Sequence, residues 1–143
     1  MYVTQQGMID RYGERTLTQL TDRGNPPTGW IVSAVLDGAL HDAATLIHGY
    51  ARSAGYQVPF ALPAPDPVPL WQALIALYML HQGGSPSEEL ARDYERTLAQ
   101  LRDMAAGRLA LQAGGVEARA AEGETVQVEG PGRAYTRESL AGF

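Results

Sequence analysis

Up to residue 111, apolar residues recur at the three- and four-residue spacing that predicts amphipathic helices. Thr4 is suited to cap a short first helix, which Gly13 interrupts. A second short helix is predicted over residues 14–20, before the loop-like sequence of residues 21–27. The pattern then predicts a longer third helix from about residue 30 to residue 52.

The third predicted helix has one apolar and one polar face. The predicted buried face consists of Val32, Val35, Leu36, Ala39, Ala43, Leu46, Ile47 and Tyr50. The opposite face carries Asp37, His41, Thr45, His48 and Arg52, which we interpret as a solvated or partner-facing stripe. Positions seven residues apart lie about 10 Å apart along a helix axis, so this stripe converges poorly on a metal ion and predicts no metal site.

Prolines and glycines divide the next part of the chain. Prolines recur through residues 55–69, which predicts an extended connector rather than a helix or a central strand. The helix predicted from residue 70 to about residue 82 is apolar nearly all round, as expected of the central helix of a small bundle. The sequence Ser85-Pro86-Ser87-Glu88 is interpreted as a capping box in which Ser85 is the N-cap of a last helix ending near Ala106.

The last predicted helix has a clear apolar face. That face consists of Leu90, Tyr94, Leu98, Leu101 and Ala105. Glu88 and Arg92 are spaced to form an i,i+4 ion pair on the solvated side. Residues 108–111 are expected to close the core or to form a short extended segment. Trp30 and Trp71 both stand beside loops at predicted helix starts, and we interpret both as packing residues.

The apolar pattern weakens from residue 112 onward, where glycines separate scattered large side chains. We therefore predict an all-α fold, a small bundle of about four to five helices in residues 1–111, followed by a long extended tail in residues 112–143. The alternation in residues 125–129 allows one short strand, if a neighbouring sheet edge is offered.

Composition narrows the class of protein. A chain of 143 residues fits one compact domain, and the absence of cysteine excludes disulfides and thiolate metal sites. The net charge of -5 argues against a general nucleic-acid binder. The start of the chain has no secretory signal pattern, and residues 70–80 are too short for the roughly 20 residues that span a bilayer, so we expect a protein made in the cytoplasm without membrane contact.

The chain lacks the common catalytic motifs. No G-x-S-x-G, H-E-x-x-H, Walker-type or G-x-G-x-x-G sequence occurs, and neither lysine nor cysteine is present as a nucleophile. We expect no enzymatic activity and no cofactor.

Three segments carry a family resemblance. They are MYVTQQGMIDRYGERTLTQLTD at the start, SPSEELARDYERTLAQLRDMAAGRLAL after the Gly83-Gly84 break, and GRAYTRESLAGF at the end. Together they resemble the small neck proteins of Mu-like tailed bacteriophages and prophages, which often end in an Arg-x-aromatic-Thr-Arg-x-Ser-Leu-x-Gly-Phe pattern. Residues 49–56 are longer than the family's usual turn, and the proline-rich connector is only loosely similar.

The resemblance implies a head-tail adaptor, also called a connector or head-completion protein, in the neck of the virion. Such proteins are mostly helical and form rings, typically twelve-fold, beneath the portal, where they continue the DNA channel. The implied partners are the portal, other copies of the chain and the next neck or tail-completion protein, while DNA passes without sequence-specific binding. The C-terminal tail is expected to dock on the portal or on a neighbouring subunit. The carried-over anchoring positions are Arg133, Tyr135, Arg137, Leu140 and Phe143.

Two other functions fit the same residues. A small helical regulatory or accessory protein would bind one partner through its C-terminal tail, and it would be a monomer or dimer. A tail-completion protein from the same neck is the other alternative. Ring formation and association with the portal would favour the adaptor.

Overall fold

Residues 1–112 are described by a computed structural model, in which they form five helices and no strand. The helices are α1 (Gln5–Tyr12), α2 (Glu14–Thr21), α3 (Ser33–Ser53), α4 (Val68–Leu80) and α5 (Glu88–Ala105). The long helices α3, α4 and α5 pack on one another, while α1 and α2 pack together and against α3. The prediction of a small all-α bundle is confirmed.

Local hydrogen bonds fix where the first three helices begin. The Thr4 hydroxyl accepts a bond from the Gly7 N–H at 3.0 Å, which confirms Thr4 as the N-cap of α1. Gly13, at φ 86, separates α1 from α2. The start of α3 at Ser33, three residues after the predicted Trp30, is a correction. The backbone of Val32 is extended, and its N–H donates to the Thr21 hydroxyl at 3.0 Å.

The starts of the last two helices also differ from the predictions. Helix α4 begins at Val68 rather than at residue 70, and it ends at Leu80. The earlier start is possible because Pro69 is tolerated in a first turn whose N–H groups have no helical acceptor. The N-cap of α5 is Ser87, whose hydroxyl accepts a bond from the Leu90 N–H at 3.1 Å. The prediction that Ser85 forms a capping box was therefore wrong, since the third residue after the true cap is a leucine.

Helix α4 supplies the centre of the core, as its apolar sequence predicted. Its buried residues are Val68, Trp71, Gln72, Ala73, Ile75, Ala76, Leu77 and Leu80. Burial is not complete, however, because Leu70 is 50% exposed. None of the helices in residues 1–112 is long and apolar enough to cross a membrane.

The buried face of α3 is turned slightly from the predicted one. Its buried residues are Leu36, Leu40, Ala43, Ala44, Ile47 and Ala51. Of the predicted set, Leu36, Ala43 and Ile47 are buried, while the other five are half-buried. The predicted face did not include Leu40, Ala44 and Ala51, which α3 also buries as it packs against the other helices.

Helix α5 adds its apolar face to the core. Leu101 of α5 is buried as predicted, whereas Leu90, Tyr94, Leu98 and Ala105 are half-buried, and Thr97 and Met104 are buried in addition. The Tyr94 ring stacks on the Tyr78 ring of α4 at a centroid distance of 3.8 Å.

The connector contributes to the core in a way that its proline content did not predict. Residues 54–67 contain no helix, as predicted, but bury Tyr56 and Phe60. The Tyr56 hydroxyl accepts the N–H of Leu111 at 2.9 Å, and Leu111 is itself buried. The segment after α5 therefore closes the core, which is one of the two outcomes predicted for residues 108–111.

Candidate interaction surfaces

The predicted anchoring residues of the C-terminal tail lie outside the described residues 1–112. They are Arg133, Tyr135, Arg137, Leu140 and Phe143, and the possible strand at residues 125–129 and the tail from residue 113 also lie outside. The candidate site in the described domain is instead a pair of exposed apolar surfaces, together with the contacts that fix their positions.

The first surface surrounds Trp30, which is 71% exposed. Trp30 borders a shallow groove of about 320 Å³, and we call this groove the Trp30 surface. Its other lining residues are Glu14, Arg15, Thr18, Gln19 and Gly29. The prediction that Trp30 packs inside the chain was wrong, because the loop before α3 turns the indole away from the core.

The loop that carries Trp30 is closed by a single carboxylate. Asp22 accepts the N–H of Thr28 at 3.0 Å and the N–H of Gly29 at 2.7 Å. These backbone hydrogen bonds hold the pKa of Asp22 below its ordinary value, because they stabilise the charged form. Gly29 has φ 80, a conformation that favours glycine over other residues. The backbone just before Trp30 is thereby fixed.

Two further contacts tie the same loop to the core. The Thr21 hydroxyl donates to the Leu17 carbonyl at 2.8 Å while it accepts the Val32 N–H. The Arg23 guanidinium donates to the Leu80 carbonyl at 2.8 Å, at the last residue of α4. Trp30 is therefore held between bonded positions on both sides. A side chain on such a fixed backbone loses less conformational freedom when a partner binds it.

The second surface lies where the connector enters α4. Leu62 is 72% exposed and Leu70 is 50% exposed, and the exposed Asp66 stands between them in the chain. We call these three residues the Leu62 surface. A hydrogen bond of 2.9 Å from the Val68 N–H to the Pro65 carbonyl fixes the turn around Asp66. We therefore treat these two exposed leucines as candidates for contact with another protein.

A buried glutamine anchors the N-terminal segment to the core. The side-chain oxygen of Gln72 accepts the N–H groups of Tyr2 and Val3, both at 2.9 Å. Its amide nitrogen donates to the Leu40 carbonyl at 2.9 Å and contacts the Met1 sulfur at 3.1 Å. The signal that sequence reasoning missed is one polar residue inside an otherwise apolar helix, because such a residue must find partners when it is buried.

Tyr2 extends the same anchor to α3 and the connector. Its hydroxyl is 2.6 Å from the His48 Nε2 and accepts the Phe60 N–H at 2.9 Å. Burial, and then the nearby positive charge of Arg52, lowers the pKa of His48, while burial raises the pKa of Tyr2. His48 was predicted to lie on a solvated stripe and is instead half-buried.

The remaining polar groups of the stripe and two ion pairs on α5 face solvent. Asp37, His41, Thr45 and Arg52 are exposed. On α5, the predicted Glu88–Arg92 pair is confirmed at 3.5 Å, and Asp93 and Arg96 pair at 3.6 Å. Within residues 1–112, no group of three or more acidic or histidine side chains is placed to hold a metal ion. The two exposed ion pairs on α5 contribute little to stability.

A comparison with known protein families gives a match over most of the chain. A protein-family model described as "Bacteriophage Mu, Gp36" matches residues 2–129. The matched range contains all five helices and both apolar surfaces, and it ends before the predicted anchoring residues. None of the curated proteins matches the chain.

Proposed function

Because the chain belongs to the bacteriophage Mu Gp36 family, we propose that it is a head-tail adaptor, a structural protein of the virion neck that forms a ring between portal and tail. The ring continues the DNA channel, and DNA passes through it without sequence-specific contacts. Its partners are the portal, other copies of the chain and the next neck or tail-completion protein. Its role is structural rather than enzymatic.

The observation that carries this proposal is the exposed Trp30 on a fixed loop. Burying a large aromatic side chain contributes strongly to an interface, and tryptophan is over-represented among the residues that dominate binding energy. In the described domain the indole contributes little to the core, although three hydrogen-bonded residues hold its loop in place. An indole exposed to water is unfavourable for the single chain, and this supports a protein that buries the indole as part of an assembly.

The polar network of the domain supports the same proposal. The buried glutamine and the half-buried histidine use their hydrogen-bonding atoms to hold the N-terminal segment. These contacts stabilise the fold and leave the outer surfaces for partners.

The C-terminal tail is the proposed second contact. Its start is positioned by the bond between Leu111 and Tyr56, and residues 113–143 would extend to roughly 100 Å at about 3.3 Å per residue. We keep Arg133, Tyr135, Arg137, Leu140 and Phe143 as the proposed anchors on the portal or on a neighbouring subunit, since arginine and aromatic side chains are enriched at interfaces.

Native mass spectrometry tests the proposal. The purified chain is measured alone and mixed with the portal protein of the same phage. We expect an assembly that contains the portal and many copies of the chain. A monomer or dimer that does not bind the portal would contradict the adaptor and favour a small regulatory protein.

A further inference from the structure

The two exposed apolar surfaces lie on different parts of one chain, and their chemistry is complementary. We infer that neighbouring copies contact each other through the Trp30 surface of one copy and the Leu62 surface of the next. This inference deepens the proposed adaptor function and rests on it for the expectation that copies meet within a ring.

The first argument is the apolar match. Trp30 is 71% exposed, and Leu62 and Leu70 are 72% and 50% exposed. An indole covered by two leucine side chains removes apolar area from water on both partners, which is the main favourable term in protein association. The backbone beside Trp30 is held by Asp22, and the turn around Asp66 is held by the bond between Val68 and Pro65. Fixed surfaces lose little entropy on contact.

The second argument is charge. Arg15 lines the groove beside Trp30, and Asp66 stands between the two leucines of the other surface. Both side chains are exposed, and neither takes part in an ion pair among residues 1–112. An arginine opposite an aspartate at the rim of an apolar contact favours one orientation of the two copies.

The third argument is position. The loop of Trp30 is tied to the last residue of α4 by the bond from Arg23 to the Leu80 carbonyl. Leu70 lies ten residues earlier on the same helix, about 15 Å away along its axis. Contact between two different surfaces of identical chains is heterologous, so each copy keeps one surface for a further neighbour. Repetition of such a contact produces a closed ring when the rotation between copies allows it.

Disulfide pairing between copies tests the inference, because the chain contains no cysteine of its own. Arg15→Cys and Asp66→Cys chains are mixed in equal amounts in a glutathione redox buffer, with and without the portal. We expect the mixed disulfide to exceed each homodisulfide by about tenfold or more. Adding Trp30→Ala to the Arg15→Cys chain should return the ratio to that of random pairing.

The matched control is Thr45→Cys, which places a cysteine at an exposed position of α3 that belongs to neither surface. Mixed with Asp66→Cys, it should give random pairing. Random pairing of Arg15→Cys with Asp66→Cys, both with and without the portal, would overturn the inference. An excess that Trp30→Ala leaves unchanged would overturn it as well.

The outcome is distinguishable from a failure of the proposed function. If the portal gathers many copies while pairing stays random, the adaptor proposal stands and this interface is wrong. If the mixed disulfide is in excess but no complex with the portal forms, the interface is correct and the adaptor proposal fails. A charge exchange adds a further test, since Arg15→Asp alone or Asp66→Arg alone should weaken contact between identical copies, whereas a mixture of the two variants, or the chain carrying both changes, should restore it.

Discussion

The two tryptophans of this chain occupy opposite environments although both stand near the start of a helix. Trp71 is 1% exposed, and its indole N–H donates to Gln100 on α5 at 2.8 Å. Trp30 is 71% exposed on a loop that hydrogen bonds hold in position. The comparison shows that a tryptophan beside a helix start is not a packing residue by default. Trp71 stabilises the domain, whereas Trp30 is available to another molecule.

Replacing each tryptophan by alanine gives the largest difference between the two regions. Trp71→Ala should lower the free energy of unfolding by about 3–5 kcal/mol, because it leaves a cavity between α4 and α5. Trp30→Ala should change it by no more than about 0.5 kcal/mol. Denaturant unfolding followed by circular dichroism measures both. Equal losses of stability would show that Trp30 also belongs to the core.

The buried glutamine tests whether the interior depends on polar contacts as well as on Trp71. Gln72→Met keeps the volume but leaves the N–H groups of Tyr2 and Val3 without their acceptor, so it should cost about 1–3 kcal/mol of stability. The matched control is Gln82→Met, at an exposed position after α4, which should have little effect. If both variants are as stable as the unchanged chain, the N-terminal anchor contributes nothing.

Acidification tests the contact between Tyr2 and His48. The folded environment lowers the pKa of His48, mainly through burial and then through Arg52, the N-terminal amine and His41. The unfolded chain therefore binds a proton at this histidine more tightly than the folded chain. The stability that neutral His48 contributes to the fold is fully present above the ordinary imidazole pKa of about 6.5 and is lost as the pH falls below it.

The measurement is the melting temperature of the chain from about pH 7.5 to about pH 5. His48→Gln should reduce the fall in melting temperature, whereas His41→Gln, at an exposed position on the same helix, should retain it. An identical fall in melting temperature in the His48 variant and in the unchanged chain would show that His48 does not contribute to the pH dependence of stability.

The smallest expected effect separates two exposed serines near the start of α5. Ser87→Ala removes the acceptor for the Leu90 N–H and should cost about 1 kcal/mol, while Ser85→Ala should cost almost nothing. Thermal unfolding of the two variants measures the difference. The reverse order would restore Ser85 as the cap.

Sequence patterning predicted the helices better than their ends. The periodic apolar positions identified all five helices, and the Thr4 cap was correct because its local signal is unambiguous. The start of α5 was misplaced because Ser85 and Ser87 offer the same chemistry, and only the tertiary structure decides which hydroxyl meets an N–H. The rotation of α3 depends on which neighbours cover it, and this information is not local.

The candidate site was the hardest part to predict. A tryptophan is usually buried, so the sequence alone favoured a buried Trp30. Its exposure depends on the loop before α3, which Asp22, Thr21 and Arg23 hold through hydrogen bonds. Gln72 could have been recognised as a polar residue in an apolar helix, but Tyr2 and Val3, whose N–H groups it accepts, lie 70 and 69 positions earlier in the chain. Contacts of that sequence separation leave no periodic signal.

Hydroxyl-radical footprinting of the unmodified chain, free and bound to the portal, tests the central claim most directly. Oxidation is read at each tryptophan by mass spectrometry, and the buried Trp71 serves as the internal reference. We predict that Trp30 is oxidised readily in the free chain and protected in the assembly, while Trp71 is protected in both. Equal oxidation of Trp30 in the free chain and in the assembly would contradict the claim that this surface serves assembly.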